Sequence, residues 1–155
     1  MYTEQEKKIE NFVNARQKSD STTRVEYNGG STRVVVTEGD GLELNARGKV
    51  TILFAGYDFS TGSLSVQNMF VTNNYEFAMS NNWNLTDGSL FDALEIDMKD
   101  KDVIEGLRNG LEGVKEGEEC YILFTGKHAF GKDQLGTIPA NAPLAYRIWV
   151  QTIEN

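Results

Sequence analysis

A single cysteine, Cys120, and a single histidine, His128, stand in a chain of 155 residues. One cysteine cannot close an intramolecular disulfide, and one Cys with one His cannot build a His/Cys zinc cage. Cys120 lies in the run Glu118-Glu119-Cys120-Tyr121-Ile122-Leu123-Phe124. A reactive thiol needs a cationic neighbourhood, and two glutamates precede this one, so it reads as a small buried core residue. Positive charge is scarce as well: 15 Lys and Arg stand against 23 Asp and Glu, a net charge of −8. The longest cationic run is Lys7-Lys8, which leaves nothing to neutralise phosphates and excludes a nucleic-acid partner. No apolar run approaches the roughly 20 residues of a membrane span, and the first residues do not read as a signal peptide. The acidic stretch 97–102 lacks the glycine and terminal glutamate of an EF-hand loop and reads as a solvated turn; no metal and no cofactor are expected.

What is present suits one globular core. Hydrophobic residues make up 39% and charged residues 25%, and the length requires no second core. Thr3-Glu4-Gln5-Glu6 has the form of a capping box, and Ile9, Phe12 and Val13 follow at helical spacing, predicting a helix to about residue 17. Its apolar stripe is short, so the helix is expected to pack on the domain or to act as a spacer. Residues 18–23 read as a polar linker, which divides the chain into a helix-plus-linker segment, 1–23, and a main domain, 24–155. Strands are expected at 24–27, 33–37, 49–59, 64–71, 94–98, 120–124 and 144–153, with Asn28-Gly29-Gly30-Ser31 as a hairpin turn. The last strand puts Leu144, Tyr146, Ile148 and Val150 on one face. Residues 103–114 read as a short helix and 126–142 as a long loop. The segment 73–89 is Asn-rich yet carries Tyr75, Phe77, Met79, Trp83 and Leu85, a loop anchored by burial or by a partner. The class is α+β with a mainly antiparallel sheet.

Several segments carry a resemblance in their order. Val103-Ile104-Glu105-Gly106-Leu107 is similar to a Val-Ile-x-Gly-Trp helix start, with Leu in the Trp place. Val50-Thr51-Ile52-Leu53-Phe54-Ala55-Gly56 resembles a pocket strand, Glu38-Gly39-Asp40-Gly41 its preceding turn, and Gly136-Thr137-Ile138-Pro139-Ala140-Asn141-Ala142 a Gly-x-Ile-Pro-Pro-x-Ala loop. Together they resemble the FKBP-type peptidyl-prolyl cis-trans isomerases over residues 37–153. The resemblance implies an antiparallel sheet wrapped around a short helix, with a cavity between them for proline-containing peptides or unfolded proteins. By position the cavity walls are Phe54, Phe70, Leu94, Val103, Ile104, Leu107, Phe130, Ile138 and Tyr146, and the backbone amide of Ile104 is the expected donor. Apolar residues on strands and helices need no function, so the same positions also fit plain core.

The departures from the family pattern are polar. Its loop tyrosine falls at Phe130, its Phe-Asp pair at Phe70-Val71, its strand tyrosine at Phe54 (a one-residue slip would place Ala55 there), and its tryptophan floor at Leu107. Phe91-Asp92 is a second place for the Phe-Asp pair, and His128 stands where a loop aromatic is common. The resemblance therefore implies an isomerase with weakened activity, the alternative being a noncatalytic peptide-binding or chaperone module. A purely structural domain would have a filled cavity. The order helix, linker, domain is similar to exported, lipid-anchored bacterial members, which implies a periplasmic or outer-membrane lipoprotein placement, with the export signal and anchor lying before Met1.

Overall fold

Strands in this chain alternate apolar side chains to both faces, and that pattern builds a sheet buried on its two sides. The computed structural model describes residues 1–83 and 91–155; Asn84, Leu85 and Ser89 of the Asn-rich segment lie outside the described residues. Helix α1 is Tyr2–Ser19; strands β1 Arg24–Asn28, β2 Ser31–Thr37, β3 Lys49–Asp58 and β4 Met69–Thr72 follow. After helix α2, Tyr75–Ser80, come β5 Leu94–Asp97, helix α3 Glu105–Leu111, β6 Glu119–Phe124 and β7 Leu144–Glu154. Among the described residues the seven strands form one sheet in the order β1-β2-β6-β7-β3-β4, and β5 also pairs with β3. Every pairing is antiparallel. β5 runs beside Lys49 to Ile52 of β3 and β4 beside Ala55 to Tyr57, so two short strands share one edge of β3.

The alternation separates two cores. Val50 and Ile52 of β3, Cys120, Ile122 and Phe124 of β6, and Leu144, Tyr146, Ile148 and Val150 of β7 face α3 with Leu107 and Leu111. Tyr57, Tyr121, Leu123 and Ala145 face the other way, against Ile9 and Val13 of α1. Helix α1 thus covers the sheet rather than acting as a spacer, with Phe12 edge-on to Phe59 and Tyr121. Its first turn is held by tertiary contacts. The Gln5 side chain donates to the Asn141 carbonyl and accepts from the Gly126 amide, and the Tyr2 hydroxyl donates to the Asn141 side chain. No side-chain cap forms at Met1, so the expected capping box is not made; the helix begins two residues early and Thr3 lies inside it.

Three further local expectations are adjusted. Only the end of 64–71 is extended, as β4, after a 3-10 turn at Val66–Asn68. The Asn-rich segment contains α2, capped by Asn74, whose side-chain oxygen accepts from the Phe77 amide. The loop 126–142 contains a 3-10 turn, Gly126–His128, and a short bridge between Leu135 and Ile138. Phe77 of α2 packs on Trp149, and the Arg147 guanidinium lies over Phe77, Tyr121 and Trp149 while its nitrogens donate to Glu119. A charged group is thereby paired and stacked on the outer face of the sheet.

Candidate functional site

Helix α3 sits close to the sheet because two glycines, one turn apart, face it. A Cβ on Gly106 would run into the Phe124 ring, and one on Gly110 into the Ile122 side chain. Glycine is needed here for close approach; neither residue has a positive φ. The Ser31 hydroxyl donates to the Gly106 carbonyl and ties β2 to the same turn. The start of the helix, at Ile104, is thereby fixed against β6 and β2.

Between that helix start and the sheet lies a cavity of about 420 Å³. The sheet contributes Ile52 and Phe54 from β3, Val71 from β4, Leu94, Glu95 and Ile96 from β5, and Tyr146 from β7. The helix side contributes Val103, Ile104 and Leu107, and the turn before it Asp100 and Asp102. Six of the nine expected wall positions therefore surround one space: Phe54, Leu94, Val103, Ile104, Leu107 and Tyr146. Phe70, Phe130 and Ile138 stand outside that lining. Phe70 lies edge-on to Tyr146, Phe130 is half-buried against the same core, and Ile138 is buried within it. Sequence reasoning missed Ile52 and Ile96, whose alternation with Phe54 and Leu94 was the available signal. It also missed Asp100 and Asp102, which are both solvated and at the rim.

The walls are set by specific bonds. Asn73, buried directly after β4, accepts from the Phe54 amide at 2.6 Å and donates to the Ile52 and Asp92 carbonyls at 3.2 and 3.0 Å. The Thr72 hydroxyl donates to the Phe54 carbonyl at 2.8 Å. Both backbone polar groups of Phe54 are thus satisfied by side chains at the end of β4, which seats the ring in the wall. The rim turn is held by its own aspartates: Asp97 accepts from the Lys99 amide and Asp100 from the Asp102 amide. Ile104, at the helix start, has φ −49 and ψ 127, and its carbonyl accepts from the Arg108 amide. Among the described residues its own amide has no acceptor.

Other chemistry-bearing residues lie elsewhere. Cys120 is fully buried, and burial first, then the charge of Glu118, pushes its thiol well up, so it is no nucleophile. His128 is on the outer side of α3, its Nδ1 3.5 Å from Glu105. Asp92 is exposed, and among the described residues it offers only its backbone carbonyl, to Asn73. Among the described residues no group of three His, Cys, Asp or Glu side chains could hold a metal ion. A larger depression of about 590 Å³ beside the β1–β2 hairpin is lined by charged groups such as Arg24 and Glu38, which pair with each other. The enclosure at Ile104, by contrast, has mostly hydrophobic walls.

The sequence profile described as FKBP-type peptidyl-prolyl cis-trans isomerase matches residues 62–151. No curated protein sequence matches the chain. Among solved structures, a multi-domain immunophilin from Arabidopsis thaliana superposes with a TM-score of 0.65 at 16% identity, covering 86% of this chain and 46% of its own. A peptidyl-prolyl cis-trans isomerase from Pseudomonas syringae gives 0.62 at 17% identity, with 96% and 92% covered. FkpA from Escherichia coli gives 0.62 at 17%, with 99% and 61% covered. The chain thus spans under half of the plant protein and nearly all of the Pseudomonas one.

Proposed function

The chain belongs to the FKBP-type peptidyl-prolyl cis-trans isomerase family, and from that premise we propose that the cavity beside Ile104 binds X–Pro segments of folding proteins and speeds their isomerisation weakly. The observation that carries the proposal is the convergence of Phe54, Leu94, Val103, Ile104, Leu107 and Tyr146 on one cavity with a free amide at Ile104.

The chemistry asks little of side chains. Rotation about the X–Pro amide is opposed by C–N double-bond character, roughly 18–20 kcal/mol for a peptide bond. The twisted amide has lost its resonance and part of its charge separation, so an apolar enclosure holds it better than water does. The cavity supplies that enclosure, and the Ile104 amide supplies a donor for a substrate carbonyl. No nucleophile or base is required. Weakness follows from what the walls lack: Val71 places a methyl group where an acid would stand, and Phe130 has no hydroxyl. Each missing hydrogen bond lowers affinity or rate by about three- to tenfold.

An isomerisation assay on a succinyl-Ala-Leu-Pro-Phe anilide, by protease coupling or NMR exchange, tests this reading. The expected result is a rate above buffer that grows with protein concentration, with peptide-induced shifts at the Ile104 and Leu107 amides. A rate equal to buffer at high protein, with no shifts, would refute it. Shifts without rate enhancement would instead support a noncatalytic peptide-binding or chaperone module, the reading that the absent acid and hydroxyl favour. We further place the protein outside the cytoplasm, in the periplasm or on an outer-membrane lipid anchor. The support is its resemblance to exported members, and an upstream reading frame without an export signal would overturn it.

A further inference from the structure

Besides the rim carboxylates, the cavity wall holds one hydroxyl that makes no hydrogen bond among the described residues. Tyr146 stands on β7 opposite Gly56 of β3 and is 4% exposed. Its ring is fixed by Phe54, Phe70 and Phe124, with centroids 6.1, 6.2 and 6.1 Å away. Gly56 leaves room for it: a Cβ there would press on both Tyr146 and Phe70. Among the described residues its hydroxyl has no hydrogen-bond partner, and burial alone raises its phenol above the ordinary range. The hydroxyl is not one of the fully enclosed polar atoms that lack a partner, which among the described residues are Arg33 Nε and His128 Nδ1, so it opens onto the cavity that Tyr146 lines. The rim carboxylates of Glu95, Asp100 and Asp102 do not reach it. Its acceptor comes from whatever fills the cavity, and a peptide entering there brings carbonyl oxygens in place of water.

We propose that the Tyr146 hydroxyl donates a hydrogen bond to a carbonyl of the bound prolyl peptide and is the side-chain group that positions substrate in this cavity. The inference rests on the peptide-binding reading above. Its donor comes from the sheet, through β7, whereas the Ile104 amide comes from the helix start; two donors on different elements fix a peptide's rotation as well as its depth. It also accounts for the loss of a hydroxyl at Phe130, since Phe130 does not line the cavity and Tyr146 does. A hydrogen bond made in both the ground state and the transition state lowers KM and leaves kcat nearly unchanged.

The test compares wild type, Tyr146→Phe and Tyr57→Phe, the last a buried tyrosine on the opposite face of the sheet. Each is titrated with the succinyl-Ala-Leu-Pro-Phe anilide by NMR, assayed for isomerisation and melted. Tyr146→Phe is expected to raise Kd and KM about three- to tenfold. It should leave kcat nearly unchanged, with Tm nearly unchanged because no hydrogen bond among the described residues is lost. Tyr57→Phe should leave Kd unchanged. Two results overturn the inference: Tyr146→Phe binding within about twofold of wild type, or a loss of binding that comes with a fall in Tm, which marks a structural hydroxyl. A wild-type protein that neither binds nor isomerises the peptide refutes the cavity reading itself, and the inference falls with it. An active wild type with an unaltered Tyr146→Phe refutes the role of Tyr146 alone.

Discussion

Leu107 and Leu111 lie one turn apart on α3, and their truncation to alanine separates an open cavity from a packed core. Both are buried, at 7% and 0% exposure, in the same cluster. Leu111 is enclosed by protein, so Leu111→Ala removes a side chain and leaves a new void; such truncations cost about 2–5 kcal/mol, rising with the void that remains. Leu107 already borders some 420 Å³ of space. Fewer of its contacts are with protein, and its loss enlarges an existing opening instead of creating one, which puts Leu107→Ala near the lower end, about 2–3 kcal/mol, and Leu111→Ala near 4–5 kcal/mol. Urea denaturation measures both, with equal m-values as the check that the unfolded states match. Peptide titration gives the other half: Leu107→Ala should weaken binding of a Leu-Pro peptide, and Leu111→Ala should not while the protein remains folded. Equal destabilisation by the two substitutions, or equal loss of binding, would refute the claim that Leu107 faces a ligand cavity.

Gly106→Ala should destabilise the protein by about 1–3 kcal/mol or more, because its Cβ meets the Phe124 ring and either α3 or the ring must move; thermal melting and peptide titration together should show both stability and binding falling. Glu118→Gln should cost about 3–5 kcal/mol, since it leaves the Arg33 guanidinium, 4% exposed, without its carboxylate. Replacing both Arg33 and Glu118 by leucine should cost less than the single change, and denaturation of the two variants decides it. Burial raises the Tyr57 phenol from its ordinary value of 10.0 to about 12. Its contribution to stability is therefore complete below about pH 10 and is lost as the pH rises toward 12. Phenolate absorbance should show that Tyr57 ionises only as the protein unfolds at high pH; ionisation near pH 10 in the folded state would contradict its burial.

The strands were legible because their signal is local. Alternation in β3, β6 and β7 assigns each side chain to a face, and the residues expected on one face of β7 do share a core. The family's backbone signals, the helix start at Val103-Ile104 and the Ile138-Pro139 loop, were legible for the same reason. Helix α2 was not, because its six residues sit among asparagines whose polarity suggests loop; Asn74 followed by Phe77 was the cap signal available. The capping box at Thr3 was legible and misleading, because Gln5 and Tyr2 anchor the first turn through residues more than a hundred positions away.

Composition and periodicity alone determined a single-cysteine, acidic α+β chain with no metal cage or nucleic-acid surface to expect. The resemblance to the family implied an apolar pocket around Ile104. Only the tertiary structure decided which apolar residues border open space and which fill the core. Periodicity fixes the face on which a side chain lies, not what stands opposite it. Phe70, Phe130 and Ile138 pack against protein, while Val71, Ile52 and Tyr146 border the cavity, because the close seating of α3 on Gly106 and Gly110 sets where the helix ends and the cavity begins. The same packing puts Tyr146 on the cavity wall.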